Sequence, residues 1–199
     1  MVKAADVEGL LQKYMDGGDL ERADALYLLC TVPWREHVAS TLRVRYGRSG
    51  AISSILADLD TLGFKGDFYV RTEDTNEYLN KVVSDFFLRA CLGKVLEDAK
   101  AKANNLSQTA REALYLISAM WPDSIDKRDL RRAYRLLFSR DIGEKELDKV
   151  LEELIGCYVI QYVSVDSLYF PPYLDILLRE LQSILPRVEV NVSWPEGAR

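Results

Sequence analysis

Residues 25–34 read ALYLLCTVPW, and residues 113–122 read ALYLISAMWP. The two stretches lie 88 residues apart without a gap and share four identities: Ala25/Ala113, Leu26/Leu114, Tyr27/Tyr115 and Leu28/Leu116. Asp24, just before the first stretch, corresponds to Glu112 before the second. Because apolar helix faces resemble one another by chance, this match indicates a repeat only if the residues after it also repeat.

The first copy continues as helices followed by a β-rich segment. Apolar residues recur at helical spacing over residues 35–46 and again over residues 51–62. Ser49 is the predicted N-cap of the later helix, and Gly63 is predicted to end it. Residues 68–72 are rich in β-forming residues. The tip of the ribbon is either residues 65–67 or residues 73–76.

The second copy follows the same order. Asp126 is the predicted N-cap of a helix over residues 127–139, and a second helix spans residues 144–155. Residues 158–163 and 168–170 are predicted strands, joined by a turn and stopped by Pro171 and Pro172.

This repeated order of three helices and a short β-ribbon resembles the winged-helix superfamily over about residues 20–72 and 107–172. The resemblance lies in the order of elements and names no particular family. It implies a mainly α fold with short β-hairpins, in which two winged-helix domains lie in tandem and are joined by a long helix. We expect the first domain in residues 1–73, the linking helix in 74–105, the second domain in 106–185 and a tail in 186–199.

The linking helix, predicted over residues 76–103, has a wider apolar stripe than a surface helix requires. It either packs between the two units or also pairs with a second copy of the chain. The predicted self-association residues are Leu79, Val83, Phe86, Phe87 and Leu92. The alternating apolar residues of the tail indicate a strand that joins a wing or a partner, or else a disordered end.

Composition and chemistry favour a non-catalytic protein. Three cysteines, Cys30, Cys91 and Cys157, lie far apart in apolar surroundings, which is typical of reduced buried thiols and predicts a cytoplasmic protein without a signal peptide or membrane span. The lone histidine, His37, has no nearby set of metal ligands or catalytic partners. We therefore expect no enzyme activity, no metal and no cofactor.

Arginines in the first copy suggest a surface that binds double-stranded DNA. In a winged helix the third helix enters the major groove while the wing and the second helix touch the backbone. Small polar and basic residues surround this predicted third helix, although Asp58 and Asp60 favour an ordinary polar surface equally. The predicted DNA-binding residues of this copy are Arg43, Arg45, Arg48, Ser49, Ser53, Ser54, Lys65 and Arg71.

The second copy differs, because its third helix is mainly acidic and its second helix carries a basic stripe. The predicted binding residues there are Lys127, Arg128, Arg131, Arg132, Arg135 and Arg140. This stripe either binds phosphates, or pairs with the acidic helix of another copy, or is simply solvated.

The resemblance and the arginine-rich segments favour the first of two functions, and the second is the alternative. The first is a DNA-binding transcription regulator or chromosome-associated factor. The second is a protein–protein assembly module, which the net charge of −5 and the acidic third helix favour.

Overall fold

Helices form most of the described chain, as the sequence predicts. The computed structural model describes residues 4–62, 73–120 and 122–186. The first half contains helices α1 (Ala4–Asp16), α2 (Leu20–Thr31), α3 (Arg35–Tyr46) and α4 (Ala51–Thr61). Asp19 caps α2 by accepting a hydrogen bond from the Arg22 amide at 3.0 Å.

In the first half, the start of α4 differs from the prediction, and residues of the predicted wing lie outside the described chain. Gly47 ends α3 in the left-handed conformation, with φ of 73°. The N-cap of α4 is Gly50 and not Ser49, so the predicted cap was wrong. Residues 63–72, which include one predicted wing tip, lie outside the described residues, as do Trp121 and the tail from residue 187. The alternative wing tip, residues 73–76, was wrong, because these residues form the first turn of the long helix that begins at Glu73.

The long helix α5 (Glu73–Ala103) spans the predicted linker and packs against α1 and α2. Its buried residues follow one another at intervals of four: Val83, Phe87, Cys91, Val95, Ala99 and Ala103. The Phe87 ring stacks on Tyr27 of α2, with the ring centres 4.3 Å apart. From Val83 to Ala103, the buried side of α5 therefore packs against other elements of its own chain.

This packing corrects part of the predicted self-association surface. Val83 and Phe87 are fully buried in the core, so they cannot contact a second copy. Phe86 and Leu92 are half-buried and pack against the same core. The side chain of Leu79 lies outside the described residues.

The second half combines helices with a small antiparallel sheet. Its elements are α6 (Gln108–Met120), β1 (Ser124–Asp126), α7 (Lys127–Phe138), α8 (Glu144–Gly156), β2 (Tyr162–Val163), β3 (Ser167–Tyr169) and α9 (Leu174–Glu180), followed by a 3₁₀ turn (Gln182–Ile184). The strand order is β1-β3-β2. Leu168 of β3 pairs with Ile125 on one side and Val163 on the other. The mainly helical fold with short antiparallel strands is thus confirmed, and the strands are shorter than predicted.

The 88-residue offset also relates a tertiary contact in each half. Tyr46 of α3 donates a hydrogen bond to Asp24 of α2 at 3.0 Å. At the corresponding positions of the second half, Tyr134 of α7 donates to Glu112 of α6. The sequence repeat therefore extends to how two successive helices of each half are joined.

The two halves share one hydrophobic core. A single cluster of buried side chains includes residues from every helix α1 to α9. Helix α3 of the first half packs directly against α8 and β2 of the second half. This packing fixes which helix faces are available to a ligand.

Candidate binding surface

Arg45, which the sequence places in a DNA-binding surface, lies in the interior between the two halves. Its side chain is 0% exposed and pairs with Asp24 at 2.9 Å. Its Nε donates to the carbonyl of Ile155 at 3.1 Å, and its Nη2 donates to the carbonyl of Ile160 at 3.0 Å. The DNA-binding prediction for Arg45 was wrong, because all three guanidinium nitrogens donate hydrogen bonds to acceptors inside the protein.

Asp24, Arg45, Tyr46 and Tyr158 together form a cluster that we call the inter-half clamp. The Tyr46 and Tyr158 hydroxyl oxygens are 3.0 Å apart, and Tyr158 donates to Asp98 of α5 at 2.8 Å. Burial is the largest single influence and opposes the charge on Arg45, but the Asp24 carboxylate together with Tyr173, Tyr158 and Tyr46 outweighs it and raises the pKa of Arg45 above its usual range. The clamp thus ties α2, α3, α5 and the segment after α8 together.

A second buried contact supports the clamp. Thr41 of α3 donates to the carbonyl of Gln161 at 3.0 Å. The side-chain amide of Gln161 donates in turn to Thr31 of α2 at 2.6 Å. Both halves therefore meet through satisfied polar groups as well as apolar packing.

The remaining predicted residues of the first copy do not form one basic surface. Arg48 is exposed but holds Glu21 through Nε and Nη2 at 2.9 and 2.7 Å. The Ser54 hydroxyl donates to the carbonyl of Ala51 at 2.9 Å. Arg43, Ser49 and Ser53 remain wholly or partly exposed, while Lys65 and Arg71 lie outside the described residues.

Helix α8, the predicted third helix of the second copy, is covered on two sides. It packs against α3 on one side and α6 on the other, burying Leu151, Leu154 and Ile155. Its exposed face carries Glu144, Asp148 and Glu152, together with Lys145 and Lys149. That face offers little to a phosphate backbone, since carboxylates outnumber amines.

Helix α7 presents its basic residues to solvent. Asp126 caps it by accepting from the Arg128 amide at 2.7 Å, and Leu130 and Tyr134 anchor it in the core. The residues facing outward at helical spacing are Arg128, Arg131, Arg132 and Arg135, which lie within one stripe.

The charges of this stripe are only partly compensated. Arg128 reaches Asp126 at 3.2 Å, and Arg131 lies 3.7 Å from Asp141. Lys127 donates to the carbonyl of Val165 at 2.8 Å, and Arg140 contacts Glu112 at 3.3 Å. Within the described part of the chain, Arg132 and Arg135 form no ion pair.

An apolar groove runs beside the unpaired arginines. It lies between α7, β1 and the end of α6 and has a volume of about 410 Å³. Its lining is mainly apolar, from Met120, Pro122, Ile125, Ala133 and Leu136, and its polar lining residues are Ser124, Asp126, Asp129 and Arg132. Leu136 is 74% exposed and Met120 is 40% exposed. We call Arg128, Arg132, Arg135, Leu136 and Met120 the α7 surface.

Sequence reasoning missed Leu136, although a signal was present. Leu136 and Leu137 are both apolar, but only Leu137 lies on the core-facing side of α7. Leu136 is therefore an apolar residue outside the core-facing stripe. Leu136 lies four residues after Arg132 and therefore on the arginine side of the helix.

The three cysteines are buried, and the single histidine packs against an aromatic ring. Burial raises the pKa of each of the thiols of Cys30, Cys91 and Cys157 to about 12. His37 stacks on Tyr162 with ring centres 5.1 Å apart. Across residues 4–62, 73–120 and 122–186, no three His, Cys, Asp or Glu side chains converge to hold a metal ion.

No protein-family model, curated protein or solved structure matches this chain. Among the helices that the structure describes, none is long and apolar enough to cross a membrane.

Proposed function

We propose that the protein is a non-catalytic assembly module that binds a protein partner through the α7 surface. The observation that carries this proposal is the exposure of Leu136 next to Arg132 and Arg135, which form no ion pair in the described chain. Exposed apolar side chains beside arginines are typical of protein-binding surfaces, where arginine is enriched and large apolar residues act as anchors.

The architecture that we propose for this module is a tandem of winged-helix units. In its second half the order helix, strand, helix, helix, strand, strand and the strand order β1-β3-β2 support this assignment. The helices α2, α3 and α4 supply the corresponding helices of the first half. The equivalent Tyr46–Asp24 and Tyr134–Glu112 contacts support an origin of both halves from one repeated unit.

Several features favour a protein partner over duplex DNA. Winged-helix DNA readers place the third helix in the major groove. Here α8 is partly covered by α3, and its free face carries Glu144, Asp148 and Glu152. In the first copy, Arg45 is buried and Arg48 is held by Glu21. Two of the arginines predicted to contact DNA in the first copy are thus engaged within the fold, while Arg43 stays exposed.

Duplex DNA remains a second proposal because of the arginine stripe on α7. The Arg128 side chain is 85% exposed, and it lies on the same helix face as Arg132 and Arg135. Such a row can neutralise phosphates, and the resulting affinity would fall steeply with salt concentration.

Site-specific photo-crosslinking in cells distinguishes these proposals. A photo-crosslinking amino acid is placed at Leu136 and, as a matched control, at the exposed residue Gln12 of α1. We expect a discrete protein adduct at position 136 that is absent at position 12 and lost in the Arg132→Glu/Arg135→Glu background.

The same purified variants are titrated with mixed-sequence duplex at about 50 mM salt, where non-specific binding falls in the range of roughly 10⁻⁴ to 10⁻⁶ M. Duplex binding in this range that the double variant abolishes, without a protein adduct, would replace the assembly proposal by the DNA proposal. Absence of both adduct and duplex binding would contradict both.

A further inference from the structure

The α7 surface has two sides with different chemistry. On one side of Leu136 lies the row of Arg128, Arg132 and Arg135. On the other side the groove opens between Ala133 and Ile125, with Met120 at its end. A ligand in this groove meets apolar atoms below, Arg132 on the flank nearest the arginine row, and the carboxylates of Asp126 and Asp129 elsewhere on the lining.

The groove is suited to side chains of a peptide segment. Its volume of about 410 Å³ lies at the lower end of the roughly 300 to 1,000 Å³ typical of ligand sites. Peptide helices bind such grooves by inserting apolar residues spaced at i, i+3 or i+4. Exposed Leu136 and Met120 supply the matching apolar contacts on this protein.

The charge of the flank selects the polar residues of that segment. Arg132 and Arg135 lack ion-pair partners in the described chain, and guanidinium groups pair with carboxylates through two parallel hydrogen bonds. Asp129 is exposed at the groove side of α7 and lines the same groove. A segment with carboxylates on both flanks would approach Asp129, so the acidic residues belong on the arginine side alone.

From this arrangement we infer that the partner segment is an acidic amphipathic helix. It inserts an apolar side chain between Leu136 and Met120 and places its carboxylates on Arg132 and Arg135. This inference rests on the proposed function, because it names the chemistry of the protein partner proposed there.

Other occupants match the surface less well. Phosphates of a nucleic acid would satisfy the arginines but leave Leu136 and Met120 without apolar partners. The acidic face of α8 in a second copy interleaves Lys145 and Lys149 with its carboxylates. None of the large exposed apolar residues in the described chain belongs to α8, so α8 offers nothing to fill the groove.

The test uses the full chain, labelled with ¹⁵N, and three synthetic helical peptides. The first has leucines at i and i+4 with glutamates along one flank and glutamines elsewhere. The second replaces the glutamates by lysines, and the third replaces the leucines by serines. We expect the first peptide to shift amides around Ile125 and Leu136 and to bind at least about tenfold more tightly than either control.

Charge reversal makes the test specific. In the Arg132→Glu/Arg135→Glu variant we expect the preference to reverse in favour of the lysine peptide. In Leu136→Ser we expect the leucine and serine peptides to bind alike. All three substituted residues are exposed, and an unchanged thermal unfolding transition verifies that each variant remains folded.

Equal binding of the glutamate and lysine peptides, or no effect of the double variant, would overturn the inference. Stronger shifts of these amides by mixed-sequence duplex at about 150 mM salt would also overturn it and would assign the surface to DNA. Stronger shifts of these amides on raising the concentration of the free chain would overturn it too and would assign the surface to a second copy. Where the crosslinking experiment still yields a protein adduct, a failed peptide test rejects the acidic segment and leaves the assembly function intact.

Discussion

At the scale of single residues, Arg45 and Arg48 show how neighbouring arginines acquire different roles. Arg45 follows Val38 and Leu42 on the buried face of α3, whereas Arg48 lies beyond the helix end. The sequence contains the spacing that predicts Arg45 to be buried, but its charge favours a surface position. Only Asp24 of another helix, together with two carbonyls of the other half, makes that burial favourable.

Substitution of Arg45 by Met is expected to lower the free energy of unfolding by about 3 to 5 kcal/mol, because it leaves the Asp24 carboxylate buried without its partner. Urea unfolding measures the change. The double variant Asp24→Asn/Arg45→Met is expected to recover part of the loss, and Arg48→Met serves as the exposed control with little effect. A loss below about 1 kcal/mol for Arg45→Met would show that the pair is not the clamp described.

The three thiols are expected to be unreactive in the folded protein. Their pKa values of about 12 leave almost no thiolate at about pH 8. A reagent that forms mixed disulfides with thiols should therefore label the chain only after unfolding. A raised thiol pKa stabilises the fold below the unfolded value near 8.5, and this contribution is lost as pH rises toward 12. Rapid labelling of native protein would contradict the burial of these residues.

At the scale of elements, the repeated helix pairs are joined by equivalent contacts in unequal surroundings. The Tyr46 hydroxyl is the partner of a carboxylate buried with Arg45, while Tyr134 and Glu112 share Arg140 at the surface. The two contacts therefore differ in their carboxylates: Asp24 is buried, whereas Glu112 pairs with the exposed Arg140.

Tyr46→Phe is expected to destabilise the protein by about 1.5 to 3 kcal/mol, since it removes a hydrogen bond to a buried charged group. Tyr134→Phe removes the equivalent bond, but Glu112 retains Arg140, so we expect a smaller loss. Parallel thermal unfolding of both variants provides the comparison. A larger loss for Tyr134→Phe than for Tyr46→Phe would contradict the role of Tyr46 in the inter-half clamp.

Helix boundaries and the basic stripe of α7 could be read from the sequence because both follow local periodicity and capping. Asp126 lies at the predicted cap, and Arg128, Arg131, Arg132 and Arg135 fall on the solvent side. Strand β1 was not predicted, because three residues are too few to show alternation and its pairing partner lies more than 40 residues away. The exposure of Leu136 and the covering of α8 depend on tertiary packing that no local pattern records.

At the scale of the whole molecule, both halves are joined through one core and the inter-half clamp. A body of this kind is expected to unfold in a single cooperative transition. Urea curves followed by far-UV and near-UV circular dichroism should therefore coincide for the wild type. Two separated transitions would show that the halves fold independently and that the clamp does not couple them.

The joined halves place the α7 surface on a rigid body, with α8 turned partly against the first half. We propose that this surface recognises an acidic protein segment in preference to duplex DNA. In the most direct test, the glutamate–leucine peptide and a mixed-sequence duplex are titrated separately against the same protein at about 150 mM salt, and their affinities are compared. The account predicts that the peptide binds at least about tenfold more tightly than the duplex, with the preference lost in Arg132→Glu/Arg135→Glu. Tighter binding of the duplex, weakened by the same substitutions, would contradict it.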